Sequence, residues 1–263
     1  MKMRVSPFSP RQAACAAGAA IRRARALNIG WETGKAGRMR TTRTLYVNLD
    51  RLALQSEGAS IVLRLMMVCN DLAFANAALR ELKEREAPIA HRAHGAGVVY
   101  LLRMQMGHLS EGLSVIDDLT RDQGLTALVE RCSQHAKNRF SELTACLKNG
   151  RNCKTFESRV MRVRNTTAFH YDGKLVKRAL ADLARTETRP LSATSSNDVG
   201  RVRFLVADAV LDVLTVRHIW KIEGGDIRGR VDEVLDFGYR LFLALLEFGQ
   251  EFIMRYIETN AAR

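Results

Sequence analysis

Apolar residues recur every three or four positions along most of this chain, which is the spacing of an amphipathic helix. The clearest stripe runs through residues 60–85, and a second runs through residues 89–119. Further stretches with this spacing cover residues 125–147, 156–163, 173–185, 199–220 and 231–258. No stretch of useful length alternates apolar and polar residues, as a half-buried strand would. The pattern predicts an all-α protein, built as an antiparallel helical bundle.

Turn-forming and capping residues indicate where some of these helices begin and end. Asn149 and Gly150 follow the third helix and form a typical C-terminal stop. A polar, proline-containing loop precedes the sixth helix, and Asn197 or Asp198 is the predicted cap of that helix. The last stretch, 231–258, is apolar on most faces. We therefore predict that it lies at the centre of the bundle or in a dimer interface.

The first 44 residues differ from the rest in composition. They hold ten Lys or Arg residues against one acid, so they carry 10 − 1 = +9 of the net charge of +13. A disordered tail, a basic arm for nucleic acid and an organellar presequence all have such a composition. A native start at Met39 is a further alternative. We predict a disordered basic tail over residues 1–44 and a single helical-bundle domain over residues 45–263.

Positive charge is also concentrated inside the predicted bundle. Residues 148–178 contain nine Lys or Arg residues and two acids, a local charge of 9 − 2 = +7. Because the rest of the bundle is slightly acidic, this segment is the candidate surface for a polyanion. Its basic residues nearest the motif described next are the predicted nucleic-acid contacts: Arg159, Arg162, Lys174, Lys177 and Arg178.

One short motif within this basic segment combines the groups that metal-free RNA cleavage requires. Arg164 is followed directly by Asn165, and His170 comes six residues after the arginine. Histidine titrates near neutral pH and can move protons to and from the 2′-hydroxyl and the leaving oxygen. Arginine is permanently charged and can hold a phosphate through two hydrogen bonds. An asparagine can bind a phosphate oxygen or fix the imidazole tautomer.

The spacing of Arg164 and His170 places a condition on the local structure. Positions six apart lie about 240° from each other around a continuous α-helix, so they do not share a face. The two side chains can converge only if the helix breaks between them or if a second copy of the chain completes the site. Asn165 and the two threonines that follow it are candidate cap residues for such a break.

The segment RNTTAFHYD resembles the signature of the HEPN superfamily, in which an arginine and a polar residue precede a histidine by a few positions. This superfamily comprises all-α domains associated with RNA and nucleotides in toxin–antitoxin, phage-defence and RNA-processing systems. The resemblance implies a homodimeric bundle and a metal-independent endoribonuclease without a cofactor. It implies that Arg164 binds the phosphate, Asn165 fills the polar position and His170 is the acid or base. An antitoxin or regulatory protein is then an expected partner.

Arginine–histidine spacing alone discriminates poorly in this arginine-rich chain. Arg85 and His91 have the same separation, and Arg103 and His108 fall within the same range, but only Arg164 precedes an asparagine. Structural roles, with His170 capping or packing a helix and Arg164 pairing with a carboxylate, remain the alternative interpretation. The corresponding alternative function is a non-catalytic scaffold that binds a partner or a nucleotide.

Two pairs of possible metal ligands raise the separate possibility of a metal site. His91 and His94 are three residues apart, as are His108 and Glu111. The two pairs lie about 20 Å from each other on a continuous helix, so one ion cannot bridge them. Polar-face histidines are the simpler interpretation, and we predict no metal site.

The remaining features favour a reduced, cytoplasmic protein. Five cysteines form no CxxC pair, which favours free thiols. No apolar run approaches the roughly 18 uninterrupted residues of a transmembrane helix, so no membrane is expected as a partner. The methionines are predicted to fill the core: Met66, Met67, Met104, Met106 and Met161.

Overall fold

The structure of the chain is a computed structural model, which describes residues 44–47, 56–84, 91–168, 171–188, 190–195 and 203–260. The predicted tail lies almost entirely outside these ranges. Long helices dominate the described residues, which confirms the all-α class. The α-helices are α1 (Ser56–Glu84), α2 (His91–Arg121), α3 (Gln123–Glu130), α4 (Gln134–Thr144), α5 (Cys153–Phe156), α6 (Gly173–Thr186), α7 (Leu205–Val213) and α8 (Ile227–Asn260).

Helices α1 and α2 pack against each other along most of their length. The predictions for residues 60–85 and 89–119 are confirmed, with each helix slightly shifted or longer. Arg64 Nη1 donates to Asp118 Oδ2 at 2.7 Å, and His108 Nδ1 lies 3.5 Å from Asp71 Oδ2. Because later positions of α1 contact earlier positions of α2, the two helices run in opposite directions.

Helix α8 lies at the centre of the fold, as its apolar composition predicts. Phe248 is fully buried and stacks on Phe252, with ring centroids 5.2 Å apart. Phe140 from α4 also packs on Phe248, with ring centroids 4.9 Å apart. The helix also contacts α1, so its burial joins the two halves of the described chain.

The prediction of one helix over residues 125–147 is wrong, because two helices occupy this region. Helix α3 ends at Glu130, and α4 begins after Ser133. The Ser133 side chain caps α4 by accepting a hydrogen bond from the Ala136 amide at 3.2 Å. Neither glycine nor proline marks this turn. The predicted stop farther on is present, since Asn149 adopts a left-handed φ of 68°.

Ser133 also fixes the position of α8 relative to this turn. Its amide and hydroxyl both donate to the Glu251 carboxylate, at 2.5 and 2.6 Å. Partial burial would raise the pKa of Glu251, but the hydrogen bonds from Ser133 outweigh it and the pKa is lowered.

We expect Ser133→Ala to destabilise the protein by about 1–2 kcal/mol, since it removes an N-cap and one of the hydrogen bonds to Glu251. Urea unfolding followed by circular dichroism measures this change. Ser141→Ala is the matched control, because Ser141 is exposed within α4 and alanine is the better helix former. Equal stability of the two variants would contradict the capping role.

The helix predicted over residues 199–220 begins later than predicted. Residues Arg203–Phe204 pair with Ala193–Thr194 in a short antiparallel ladder, so α7 begins only at Leu205. The predicted caps Asn197 and Asp198 lie outside the described residues. Helical structure then continues past α7 through a wider π-helical segment, Leu214–Ile219.

Four described cysteines carry free thiols, as predicted. Burial raises the pKa of Cys69 to about 12, which keeps that thiol protonated. The core prediction holds for Met106 but is wrong for Met67, whose side chain is 62% exposed on α1. Gly58–Glu81 within α1 is also long and apolar enough to cross a membrane, by length and composition.

Candidate functional site

The predicted motif lies where a helical stretch ends. Two π-helical segments, Glu157–Met161 and Arg164–Ala168, follow α5, and α6 begins at Gly173. Asp172 is the cap of α6, since its Oδ1 accepts hydrogen bonds from the next amides at 2.9 and 3.0 Å. Residues 164–168 are helical, and the non-helical residues 171 and 172 follow His170 in the sequence. The break that the spacing requires between Arg164 and His170 therefore stays a prediction. His170 lies outside the described residues.

The predicted cap residues have other roles in the structure. Asn165 Oδ1 accepts a hydrogen bond from Arg164 Nη1 at 2.9 Å. Thr167 Oγ1 donates to the carbonyl of Val163 at 3.0 Å within the helical stretch. The expectation that Asn165 or a threonine caps the helix start is wrong, because Asp172 does so.

Arg164 is held at the surface by two partners from its own chain. Besides the bond to Asn165, its Nη2 donates to Glu111 Oε1 at 2.6 Å. The two side chains are 40% and 50% exposed, so water screens this ion pair. The Nε atom is buried and has no hydrogen-bond partner among the described residues. A phosphate that bound the outer edge of this guanidinium would have to replace Glu111.

Arg103 holds the same segment from the inside. This α2 residue is 7% exposed, and its Nη1 donates to the carbonyl of Thr167 at 3.1 Å. Arg103 and Glu111 are eight residues apart and therefore share one face of α2. This face contacts both the beginning and the end of the segment Arg164–Ala168. Arg103, which precedes His108 at motif-like spacing, therefore has a structural role.

Asp212 of α7 lies in the electrostatic field of Arg103. Burial and the negative charge of Asp208 together raise the pKa of Asp212 to about 7, and the positive charge of Arg103 opposes the rise. The buried guanidinium thus links α7 to the back of the motif. Nothing in the local sequence pattern indicates this contact, since Arg103 and Thr167 are 64 residues apart.

The predicted nucleic-acid residues fall into two groups. Arg162, Lys174, Lys177 and Arg178 are exposed on both sides of the motif, and none forms an ion pair with another described residue. Arg159 instead lies against α8, where its Nη1 donates to the carbonyl of Glu233 at 3.3 Å and its guanidinium lies over the ring of Phe237.

The candidate metal ligands Glu111 and His108 contact different partners. Glu111 binds Arg164, while His108 faces Asp71 of α1. Among the described residues, no group of three or more His, Cys, Asp or Glu side chains has the arrangement of a metal site. The side chains of His91 and His94 lie outside the part of the chain that the structure describes.

A second charged cluster was missed by the sequence analysis. Asp182 of α6 is 8% exposed and lies 3.1 Å from both Arg217 Nη1 and His218 Nε2. Arg185, one turn along α6, also donates to Asp182. The cluster neutralises a buried carboxylate and joins α6 to the segment Leu214–Ile219. Its members come from distant parts of the chain, so no spacing rule points to it.

The arrangement around Arg164 can hold an anion that replaces Glu111. It supplies one guanidinium, the adjacent amide of Asn165 and four exposed cations within fifteen residues. General acid–base chemistry at this surface depends on His170. Comparison of the chain with models of protein families, with curated proteins and with solved structures finds no match in any of the three.

Proposed function

We propose that this chain is a HEPN-like protein that acts on RNA, as a metal-independent endoribonuclease of the toxin–antitoxin or phage-defence type. In this proposal the chain is a cytoplasmic homodimer whose helices form a HEPN-like antiparallel bundle. His170 transfers protons, and Arg164 stabilises the charge that grows on the phosphate. Attack by the 2′-oxygen on phosphorus breaks the bond to the 5′-oxygen, so the product carries a 2′,3′-cyclic phosphate.

One observation carries this proposal above the others. Arg164 stands on the surface in the π-helical segment Arg164–Ala168, with exposed cations on either side of it along the chain. The π-helical geometry of Arg164–Ala168 is uncommon and is often found at functional sites. Arg164 and the exposed cations around it suit a phosphodiester backbone, which proteins bind largely through lysine and arginine.

Single-stranded RNA incubated with the purified protein tests the proposal directly. We expect cleavage in the presence of EDTA and a 2′,3′-cyclic phosphate on the upstream product, detected by mass spectrometry. A substrate with a 2′-deoxynucleotide at the mapped cleavage position should resist cleavage there, because the attacking hydroxyl is missing. Cleavage that needs a divalent ion, or products with a 5′-phosphate, would overturn the mechanism.

The ion pair between Arg164 and Glu111 leads to a second measurement. If RNA phosphate competes with this carboxylate, Glu111→Gln should tighten binding of labelled single-stranded RNA by a factor of about two to five, since an exposed ion pair contributes up to about 1 kcal/mol. Fluorescence anisotropy at fixed salt measures the affinity. Glu130→Gln removes an exposed acid from α3 and is the matched control. Equal effects of the two substitutions would contradict direct competition at Arg164.

The same ion pair also favours the second candidate function, a non-catalytic module that binds a protein partner or a nucleotide. In that case Arg164 and Glu111 join α2 to the motif and have no chemical task. The protein would then leave RNA intact with and without metal, and Glu111→Gln would loosen the fold without tightening RNA binding. The two measurements above therefore separate the candidates.

A further inference from the structure

Helix α1 is apolar on its outer side as well as on the side that faces the core. Its inner side is buried at Val62, Leu65 and Leu72. On its outer side, Met67 is 62% exposed and Phe74 is 78% exposed. Large apolar side chains concentrated on one exposed face are typical of an interaction surface.

Six of the exposed residues of α1 follow a heptad repeat. They occupy alternating steps of three and four: Ser60, Leu63, Met67, Asn70, Phe74 and Ala77. This 3.5-residue period is the one by which two helices pack side chains into each other along a shared seam. We call these six residues the outer stripe. Ser60 and Asn70 are its polar members, and Asn70 lies near the middle of the stripe, where a polar residue within such a seam fixes the register of a pair at some cost in stability.

We propose that the outer stripe binds the outer stripe of a second copy of this chain, with the two α1 helices antiparallel. In this pairing Phe74 packs on Leu63 of the second copy, and two-fold symmetry repeats the contact at the other end. Met67 then lies beside Asn70 of the second copy, near the two-fold axis. The inference rests on α1 alone and does not depend on the proposed activity on RNA.

Charge decides between the two possible directions of pairing. Arg64 and Asp71 are one heptad apart on the same edge of the outer stripe. Within the chain they contact Asp118 and His108 of α2, and their side chains remain 45% and 56% exposed. In the antiparallel pair Arg64 of each copy faces Asp71 of the other, which gives two complementary contacts. A parallel pair would place Asp71 beside Met66 of the second copy and would form neither contact.

A membrane is the other occupant that the composition of α1 allows. Only 33% of its most apolar window is buried. However, α1 packs its inner side on α2 and α8, and its outer edges carry Arg64 and Asp71, which are costly in hydrocarbon. A second copy buries the apolar seam and also places opposite charges beside Arg64 and Asp71.

Sedimentation equilibrium of the purified chain and of Phe74→Glu tests the inference. We expect the native chain to have a mass of about 59 kDa, twice 29.5 kDa, and Phe74→Glu to remain a monomer with unchanged circular dichroism. Phe204→Glu, which replaces an exposed phenylalanine outside α1, should still dimerise. The proposal would be overturned if the native chain stays monomeric at all concentrations from about 1 to about 100 μM, or if it forms a dimer that Phe74→Glu does not disrupt.

Cysteine cross-linking determines the direction of the pair. In a background with Cys15 and Cys153 replaced by serine, we expect Leu63→Cys and Phe74→Cys chains to form a disulfide when they are mixed, while Phe74→Cys alone does not. Self-cross-linking of Phe74→Cys would overturn the antiparallel register. Flotation of a monomeric native chain with phosphatidylcholine–phosphatidylglycerol vesicles, lost in Phe74→Glu, would overturn the second copy in favour of a membrane.

Discussion

Replacing His170 by alanine is expected to lower the rate of RNA cleavage by a factor of about 10² to 10⁴, the usual contribution of a general acid or base. The imidazole is the group of the motif that titrates near neutral pH, whereas Arg164 stays charged throughout. Single-turnover cleavage of a labelled RNA in EDTA measures the rate. The variant should bind RNA with nearly unchanged affinity, because the phosphate contacts are retained.

His108→Ala is the matched control for this experiment. His108 also follows an arginine at motif-like spacing, but its Nδ1 faces Asp71 of α1. We expect its cleavage rate to stay within about a factor of two of the native rate. Full activity of the His170→Ala protein, confirmed as folded by circular dichroism, would refute the proposed mechanism.

Helical periodicity was sufficient to locate most of the helices in this chain. It predicted α1, α2, α6 and α8 within a few residues, because each combines a long apolar stripe with a polar face or a clear stop. It failed at the turn before Ser133, where the serine cap is the only local signal. Periodicity also could not tell the inner side of α1 from its outer side, since Leu65 and Met67 are equally apolar.

The candidate site was less accessible to sequence analysis than the helices were. Local order showed that Arg164 and Asn165 are adjacent and that either a break before His170 or a second copy of the chain must bring the side chains together. It could not show that Glu111 is the partner of Arg164, or that Arg103 supports the same segment, because both come from α2. Contacts between residues more than fifty positions apart depend on how the helices pack, and no spacing rule encodes them.

The buried carboxyl of Asp212 predicts that this fold loses stability as the pH rises towards neutrality. The pKa of Asp212 is about 7 in the native state, against an ordinary value of 3.8 in the unfolded chain. Between these two values the native state holds a proton that the unfolded state releases. The contribution of the protonated carboxyl to the folding stability is therefore fully present below about pH 4 and is lost as the pH rises through 7.

Comparison with Asp212→Asn isolates this effect, because asparagine resembles the protonated acid at every pH. From pH 4.5 to 7.5 the stability of the variant should rise relative to the native protein by about 3 kcal/mol, since each pKa unit corresponds to about 1.4 kcal/mol. Urea unfolding at a series of pH values measures the difference.

Glu130→Gln is the control for this series, because it removes an exposed carboxylate, and its difference from the native protein should change by less than about 0.5 kcal/mol. A difference between Asp212→Asn and the native protein that does not vary with pH would contradict a protonated Asp212. If the difference does vary, burial, the charge of Asp208 and the opposing charge of Arg103 together determine the pH at which it does so. The charge of Arg103 opposes protonation of Asp212, and the same guanidinium holds the carbonyl of Thr167. The proton on Asp212 and the end of the motif segment are therefore coupled through one side chain, and the decline in stability should be accompanied by a change in the protection of amide hydrogens in residues 164–168.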